Sequence, residues 1–247
     1  MLLHVRRRDT LHHLPIYDDH RIIPYLMDSG FYGIHRVGFM QIDWALVTAL
    51  VERWRPETHT FHLPVGECTI TLQDVAVLLG LPIQGKVVTG TSKIENGRQL
   101  CLEQFGLELP DKTLIGGRLK LTWLQSNFAE IPEEADEDVV HRYVRAYIFQ
   151  LIGGSIFTDH SQQYVFLMFL PLLQDITQVG EYSWGGAALA WLYRELCKAS
   201  RIGVEDMCSP VILLQLWAWE HISFTAPEKL NLVNRPQNIP PGPLGER

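Results

Sequence analysis

The chain of 247 residues is sparing in the residues that would export it or anchor it. It has only four cysteines, Cys68, Cys101, Cys197 and Cys208, widely spread and in no CxxC pair. It has no N-x-[ST] glycosylation sequon, and its start, Met1-Leu2-Leu3-His4-Val5-Arg6-Arg7-Arg8, lacks the apolar core of a signal peptide. The cysteines therefore read as reduced and mostly buried, which fits a soluble protein of the cytosol or nucleus. The longest apolar run, Tyr164 to Leu173, is about half of the ~20 residues that span a bilayer, and Pro171 interrupts it. It reads as a core helix, with no membrane partner.

Positive charge is short as well. Lys and Arg number 21 against 28 Asp and Glu, for a formal charge of −7 and a pI near 5.8. That balance weighs against a generic binder of phosphate backbones, which carries a basic surface. Signatures of chemistry are missing too. The absence of Gly-Asp and Gly-Asn dipeptides removes the GDxHG and GNHE motifs of metallophosphatases. There is no GxSxG elbow, and the pairs Gly116-Gly117, Gly153-Gly154 and Gly185-Gly186 form no GxGxxG. What is present is ordinary globular composition, 47% hydrophobic and 20% charged, in a chain long enough to bury a substantial core.

Local patterns predict a mainly α, α-rich α+β domain with a small β-hairpin, over residues 20–233. A helix over 20–29 should end at Gly30, and Phe31-Tyr32-Gly33 should form a turn. Asp43 is placed to cap a deeply buried helix carrying Trp44, Val47, Val51 and Trp54, stopped by Pro56. Alternation around Pro64-Val65-Gly66-Glu67 signals the hairpin, and Thr71-Leu72-Gln73-Asp74 is a capping box for a helix closing at Gly80. A short strand at Val87-Val88 and a helix near 98–105 follow. The cleanest stripe, Val139, Val140, Tyr143, Val144, Tyr147, Ile148, Leu151 and Ile152, makes a helix from Asp136 with His141, Arg142, Arg145 and Gln150 on its other side. Further helices are expected over 162–174, 184–200 and 209–222. The segment 1–19 precedes the domain, and a proline-rich tail, 234–247, should be extended.

Each candidate for chemistry has a plainer account. Gly80 to Lys86 matches a phosphate loop, but Val87 replaces its Ser or Thr, and the segment leaves a helix instead of opening one. His59, His62 and Cys68 have metal-plausible spacing without a convergent fourth ligand. Glu133, Glu134, Asp136, Glu137 and Asp138 suit a helix N-terminus, where carboxylates complement the dipole. Asp159-His160-Ser161 are adjacent, whereas a triad draws its members from separated positions; a helix entrance explains them. No catalytic, cofactor-binding or metal-binding residue emerges. The candidate interaction surface is Arg53, Trp54 and Arg55, with Trp184, Arg194, Lys198 and Arg201 along the helix over 184–200.

Several long blocks resemble the plant mobile domain family, also labelled aminotransferase-like. They are Gly30-Phe31-Tyr32-Gly33, Leu50 to Pro64, Gly66 to Val75, Leu78 to Pro82, Tyr182 to Ala190 and Leu192-Tyr193. No motif here supports a pyridoxal-phosphate enzyme. The resemblance implies a non-enzymatic nuclear regulatory module concerned with meristem maintenance, genome stability and gene or transposon silencing. It also implies a protein partner, a type-7 serine/threonine phosphatase-like protein being the first to test. The alternative is a transposon-derived nucleic-acid-binding module using Arg194, Lys198 and Arg201. Relatives continue with structured sequence after a stretch like Arg235-Pro236 to Pro243, so a chain stopping at Arg247 reads as truncated or transposon-derived.

Overall fold

The computed structural model describes residues 14–38, 40–91, 94–161, 163–204, 207–208, 210–222 and 225–226. The proline-rich tail lies outside them. After 3-10 turns at Pro15–Asp18 and His20–Ile22, helix α1 (Ile23–Ser29) closes at Gly30, whose φ of 77° is the left-handed cap expected there. The expected turn at Phe31-Tyr32-Gly33 is instead the start of helix α2 (Tyr32–Val37). Gly33 serves close approach here. A Cβ on it would lie 2.1 Å from the Leu79 carbonyl oxygen.

Helix α3 (Trp44–Val51) is capped by Asp43, whose carboxylate accepts from the Leu46 amide at 3.0 Å. It stops short of Trp54. That residue opens strand β1 (Trp54–Arg55), which pairs with β2 (Thr60–Leu63), and β2 pairs in turn with β3 (Gly66–Cys68). The hairpin is where the alternation put it, with one extra strand taken from the expected helix. Cross-strand pairing with Phe61 outweighs the helical period at Trp54. Helix α4 (Leu72–Leu79) carries the full Thr71–Asp74 capping box and ends at a left-handed Gly80.

No strand forms at Val87-Val88; Lys86 makes a single parallel bridge to Tyr182. Helix α5 (Gly97–Phe105) starts at an Asn96 cap, as expected. A second three-stranded sheet then departs from expectation: β4 (Leu114–Ile115), β5 (Arg118–Lys120) and, beyond helices α6 (Leu121–Asn127) and α7 (Glu137–Leu151), β6 (Tyr164–Phe166). The apolar run over 164–173 is thus a strand followed by 3-10 turns at Leu167–Leu173, not a core helix. Pro171 withholds an amide from any α-helical ladder, while Val165 finds a partner in Leu119. Helices α8 (Trp184–Ala199) and α9 (Val211–His221) complete the described residues.

Among the described residues the chain is mainly α, nine α-helices with two small three-stranded sheets. Helix α7 packs against α1, α5 and α6, so it buries more than its stripe. Ala146, Phe149 and Gln150 are buried as well, so the side opposite the stripe, where Gln150 was expected, is also covered at that point. On the same helix Arg145 donates to the carbonyls of Gln104, Leu173 and Gln174 at 2.8–2.9 Å, pinning α5 and the 3-10 segment to it. Helix α9 is buried without a break from Val211 to Ala218, the mark of a helix surrounded on all sides. No helix of the described residues is long and apolar enough to cross a membrane.

Candidate functional site

The predicted surface divides into two kinds of residue. In β1 the strand alternation turns Trp54 inward and Arg55 outward. Trp54 is 1% exposed; its Nε1 donates to Cys197 Sγ at 3.3 Å, and its ring meets Phe61 and Tyr193 edge-on. Trp184 is fully buried against Phe31, with Nε1 donating to the Val179 carbonyl at 2.9 Å. Both tryptophans are core residues, which removes them from the interaction surface. A large apolar ring with a satisfied N–H is more stable inside.

Arg53, Arg55, Arg194 and Arg201 do reach solvent. Arg53 Nη1 donates to the Ala49 carbonyl, and the Arg194 guanidinium sits 5.4 Å from the Trp191 ring centroid. Through Trp54, β1 packs on α8 beside Tyr193 and Cys197, so Arg55 and Arg194 stand on two adjoining elements, with Arg53 just before β1 and Arg201 just after α8. Lys198 is different. It is half-buried, 3.6 Å from a Glu195 carboxylate oxygen and 3.2 Å from His160 Nε2. The basic row predicted along α8 is broken at its middle member.

The other motifs resolve into structure. The segment Gly80 to Val87 fastens α4 to the start of α8: the Lys86 amide donates to the Glu181 carbonyl, its ammonium pairs with the Glu181 carboxylate, and Gly185 donates to the Pro82 carbonyl. Register decides the histidine cluster. Cys68 stands opposite Phe61, whereas His62 stands opposite Glu67, 3.3 Å from its carboxylate, so the two are on opposite faces of the sheet. His59 lies in the preceding turn with φ 54°. Among the described residues no three His, Cys, Asp or Glu side chains are grouped to hold a metal ion. Asp136 caps α7 through the Val139 amide, the role given to the acidic run. A recess of about 560 Å³ lined by Asp18, Asp19, His20, Arg21, Glu130 and Glu133 holds mixed charge. Its Arg21 is taken up by the Asp19 carboxylate and the Ile131 and Pro132 carbonyls.

Asp159-His160-Ser161 leads into a strand, not a helix. Asp159 is 3% exposed and organises that turn. Its carboxylate accepts from Ser161 Oγ at 2.7 Å and from the Gln163 and Tyr164 amides, with Arg118 at 3.4 Å. His160 faces the other way, towards Lys198 and Cys208, whose Sγ is 3.0 Å from Nδ1. That grouping joins residues distant in the chain, and only the histidine was singled out beforehand as part of a chemical motif. A π-helical segment at Ile152–Ile156 precedes it, a conformation with little sequence signal.

The amino-acid sequence of this helical chain matches known proteins. The plant mobile domain family model covers residues 30–245. The chain belongs to the plant mobile domain family. It is 49% identical over 84% of its length to the Arabidopsis thaliana serine/threonine-protein phosphatase 7 long form homolog, covering 15% of that protein. It is 44% identical over 81% of its length to Protein MAIN-LIKE 1, covering 40% of it, and 38% identical over 90% to Protein MAINTENANCE OF MERISTEMS, covering 46%, both from Arabidopsis thaliana. The chain thus spans less than half the length of each of these relatives. No solved structure matches.

Proposed function

We propose that the domain is a non-enzymatic, nuclear protein-interaction module that acts in meristem maintenance, genome stability and gene or transposon silencing, beside a type-7 serine/threonine phosphatase-like partner. One observation carries the reading. The same stretch of sequence makes up 15% of a relative named as a phosphatase homolog and 46% of one named for maintaining meristems. A unit joined to such different remainders works by being attached to things. The exposed arginines Arg53, Arg55, Arg194 and Arg201 are the contact points we assign, since arginine on a rigid element suits carboxylate-rich partner surfaces.

Co-precipitation from plant nuclei tests it, with Arg53→Glu/Arg55→Glu and Arg194→Glu/Arg201→Glu double variants run beside the parent chain. The expected result is recovery of a phosphatase-like protein, at least tenfold weaker in one double variant. Recovery of neither a phosphatase-like nor a chromatin protein would sink the reading. Nucleic-acid binding stands second: Lys198 is engaged by Glu195 and His160, and the chain carries a net charge of −7.

A further inference from the structure

Away from the arginines, α8, the turn after the π-helical segment and the segment before α9 converge on one sulfur atom. Cys208 Sγ lies 3.0 Å from His160 Nδ1, and the opposite ring nitrogen, Nε2, lies 3.2 Å from Lys198 Nζ. We propose that Cys208 is a reactive thiol, primed by His160 and Lys198, and a site of oxidation by hydrogen peroxide and peroxides of similar size.

The hydrogen-bond roles follow from the inventory of donors. An ammonium has three donors and no acceptor, so Lys198 must donate and Nε2 must accept. The proton of the neutral ring then sits on Nδ1, directed at the sulfur. Sulfur is the acceptor in this pair, a role that a thiolate fills strongly and a thiol weakly. The protein thereby favours the ionised form, the one that acts as nucleophile. Glu195 Oε2 accepts the Cys208 amide at 3.1 Å and faces Lys198 at 3.6 Å, and Asp159 is turned to Arg118.

The cysteine is also fixed in place. Its carbonyl accepts from Trp191 Nε1 at 2.7 Å, and its amide is held by Glu195. Cys208 is 6% exposed, which admits a small oxidant and little else, while His160 beside it is exposed. What sets Cys208 apart from the other thiols is the imidazole beside it, since it is more buried than Cys68. Burial pushes Cys101 up to about 12 and raises Cys68, and Cys197 Sγ accepts the Trp54 indole N–H.

In the reaction the sulfur attacks one peroxide oxygen. An S–O bond forms, the O–O bond breaks, and sulfur loses two electrons while the peroxide is reduced. The departing hydroxide takes up the proton given up by the thiol, leaving a sulfenic acid and water. The inference is independent of which partner the domain binds.

The test is a peroxide pulse on the folded chain, quenched with catalase, then unfolding in an alkylating reagent and mass spectrometry of each cysteine. An ordinary thiol of pKa ~8.5 is about 3% ionised at pH 7, so a fully ionised one reacts up to about thirtyfold faster. Cys208 should oxidise at least tenfold faster than Cys101, with a rate nearly flat between about pH 6.5 and 8, where an ordinary thiol gains about tenfold per unit. Lys198→Met and His160→Ala should each slow Cys208 several-fold and leave Cys68 and Cys101 unchanged. Oxidation of Cys208 no faster than that of Cys101, or a rate indifferent to Lys198→Met, would overturn the proposal. If a variant fails to fold, the pH profile of the parent chain decides: a tenfold rise per unit refutes it.

Discussion

Replacing Trp184 by phenylalanine separates a core tryptophan from an interface tryptophan. Trp184 is fully buried at the first turn of α8, and its indole N–H satisfies the Val179 carbonyl at 2.9 Å. Phenylalanine keeps an aromatic ring against Phe31 but removes the donor and part of the ring system. The Val179 carbonyl keeps the Tyr182 amide at 3.4 Å, so the loss is one hydrogen bond, about 0.5–1.5 kcal/mol. A void on the order of one water's share of liquid, ~30 Å³, adds about 0.7 kcal/mol at ~24 cal/mol per Å³. The sum, about 1–2 kcal/mol, is measurable against a typical domain stability of about 5–15 kcal/mol and leaves most of the protein folded. Urea unfolding followed by circular dichroism reads it as a lower midpoint at unchanged slope. Arg194→Ala, exposed on the same helix, should stay within about 0.5 kcal/mol of the parent. A Trp184→Phe chain of parental stability that has nevertheless lost its partner would refute the core assignment.

Three further outcomes follow from particular contacts. Gly33→Ala would set a Cβ 2.1 Å from the Leu79 oxygen and 2.7 Å from Gly80 Cα, both backbone, so α2 must shift off α4. It should lower the thermal midpoint by the equivalent of at least about 2 kcal/mol, while Gly154→Ala, with nothing within 4 Å of the new Cβ, serves as the mild control. Thr71→Ala removes the capping box of α4 and should cost about 1 kcal/mol in urea unfolding, with Thr71→Ser restoring most of it. Asp19 is held below its ordinary 3.8, chiefly by the hydrogen bond from the Arg21 side chain. A carboxyl depressed in the folded state stabilises above its unfolded pKa and loses that contribution as pH falls through its lower folded value. Unfolding curves of the parent and Asp19→Asn should therefore differ by about 1 kcal/mol near neutrality and converge as pH drops below 3.8.

What could be read in advance was whatever a short stretch of chain decides for itself. Asp43, Thr71 with Asp74, and Asp136 satisfy amides three residues away, and Gly30 and Gly80 close helices with their own backbone angles. These caps placed α1, α3, α4 and α7 within a few residues. Failures came where a distant segment cast the deciding vote. Tyr164 to Phe166 is apolar enough for either a helix or a strand, and β5 made it a strand. Gly33 looked like a turn because its reason for being small, the end of α4, lies elsewhere in the sequence. Trp54 carried the helical period of α3 but found Phe61, Tyr193 and Cys197 as neighbours.

The same distinction explains why the candidate site was only half legible. Arg194 and Lys198 share a face of α8 by spacing, with Arg201 just past its end, and spacing says which residues stand together, not what stands opposite them. The middle residue meets Glu195 and His160, so its charge points into the protein's own polar cluster instead of towards a partner. His160 was set aside because its chain neighbours cannot form a triad with it. Its partners come from positions 198 and 208. A side chain's chemistry is fixed by the groups within about 4 Å of it, and in a chain that folds by packing helices those groups seldom come from the same segment. Deleting Lys198 should therefore be felt first at Cys208, ten residues further along the chain and reached through His160, and only second in any partner bound by the arginines.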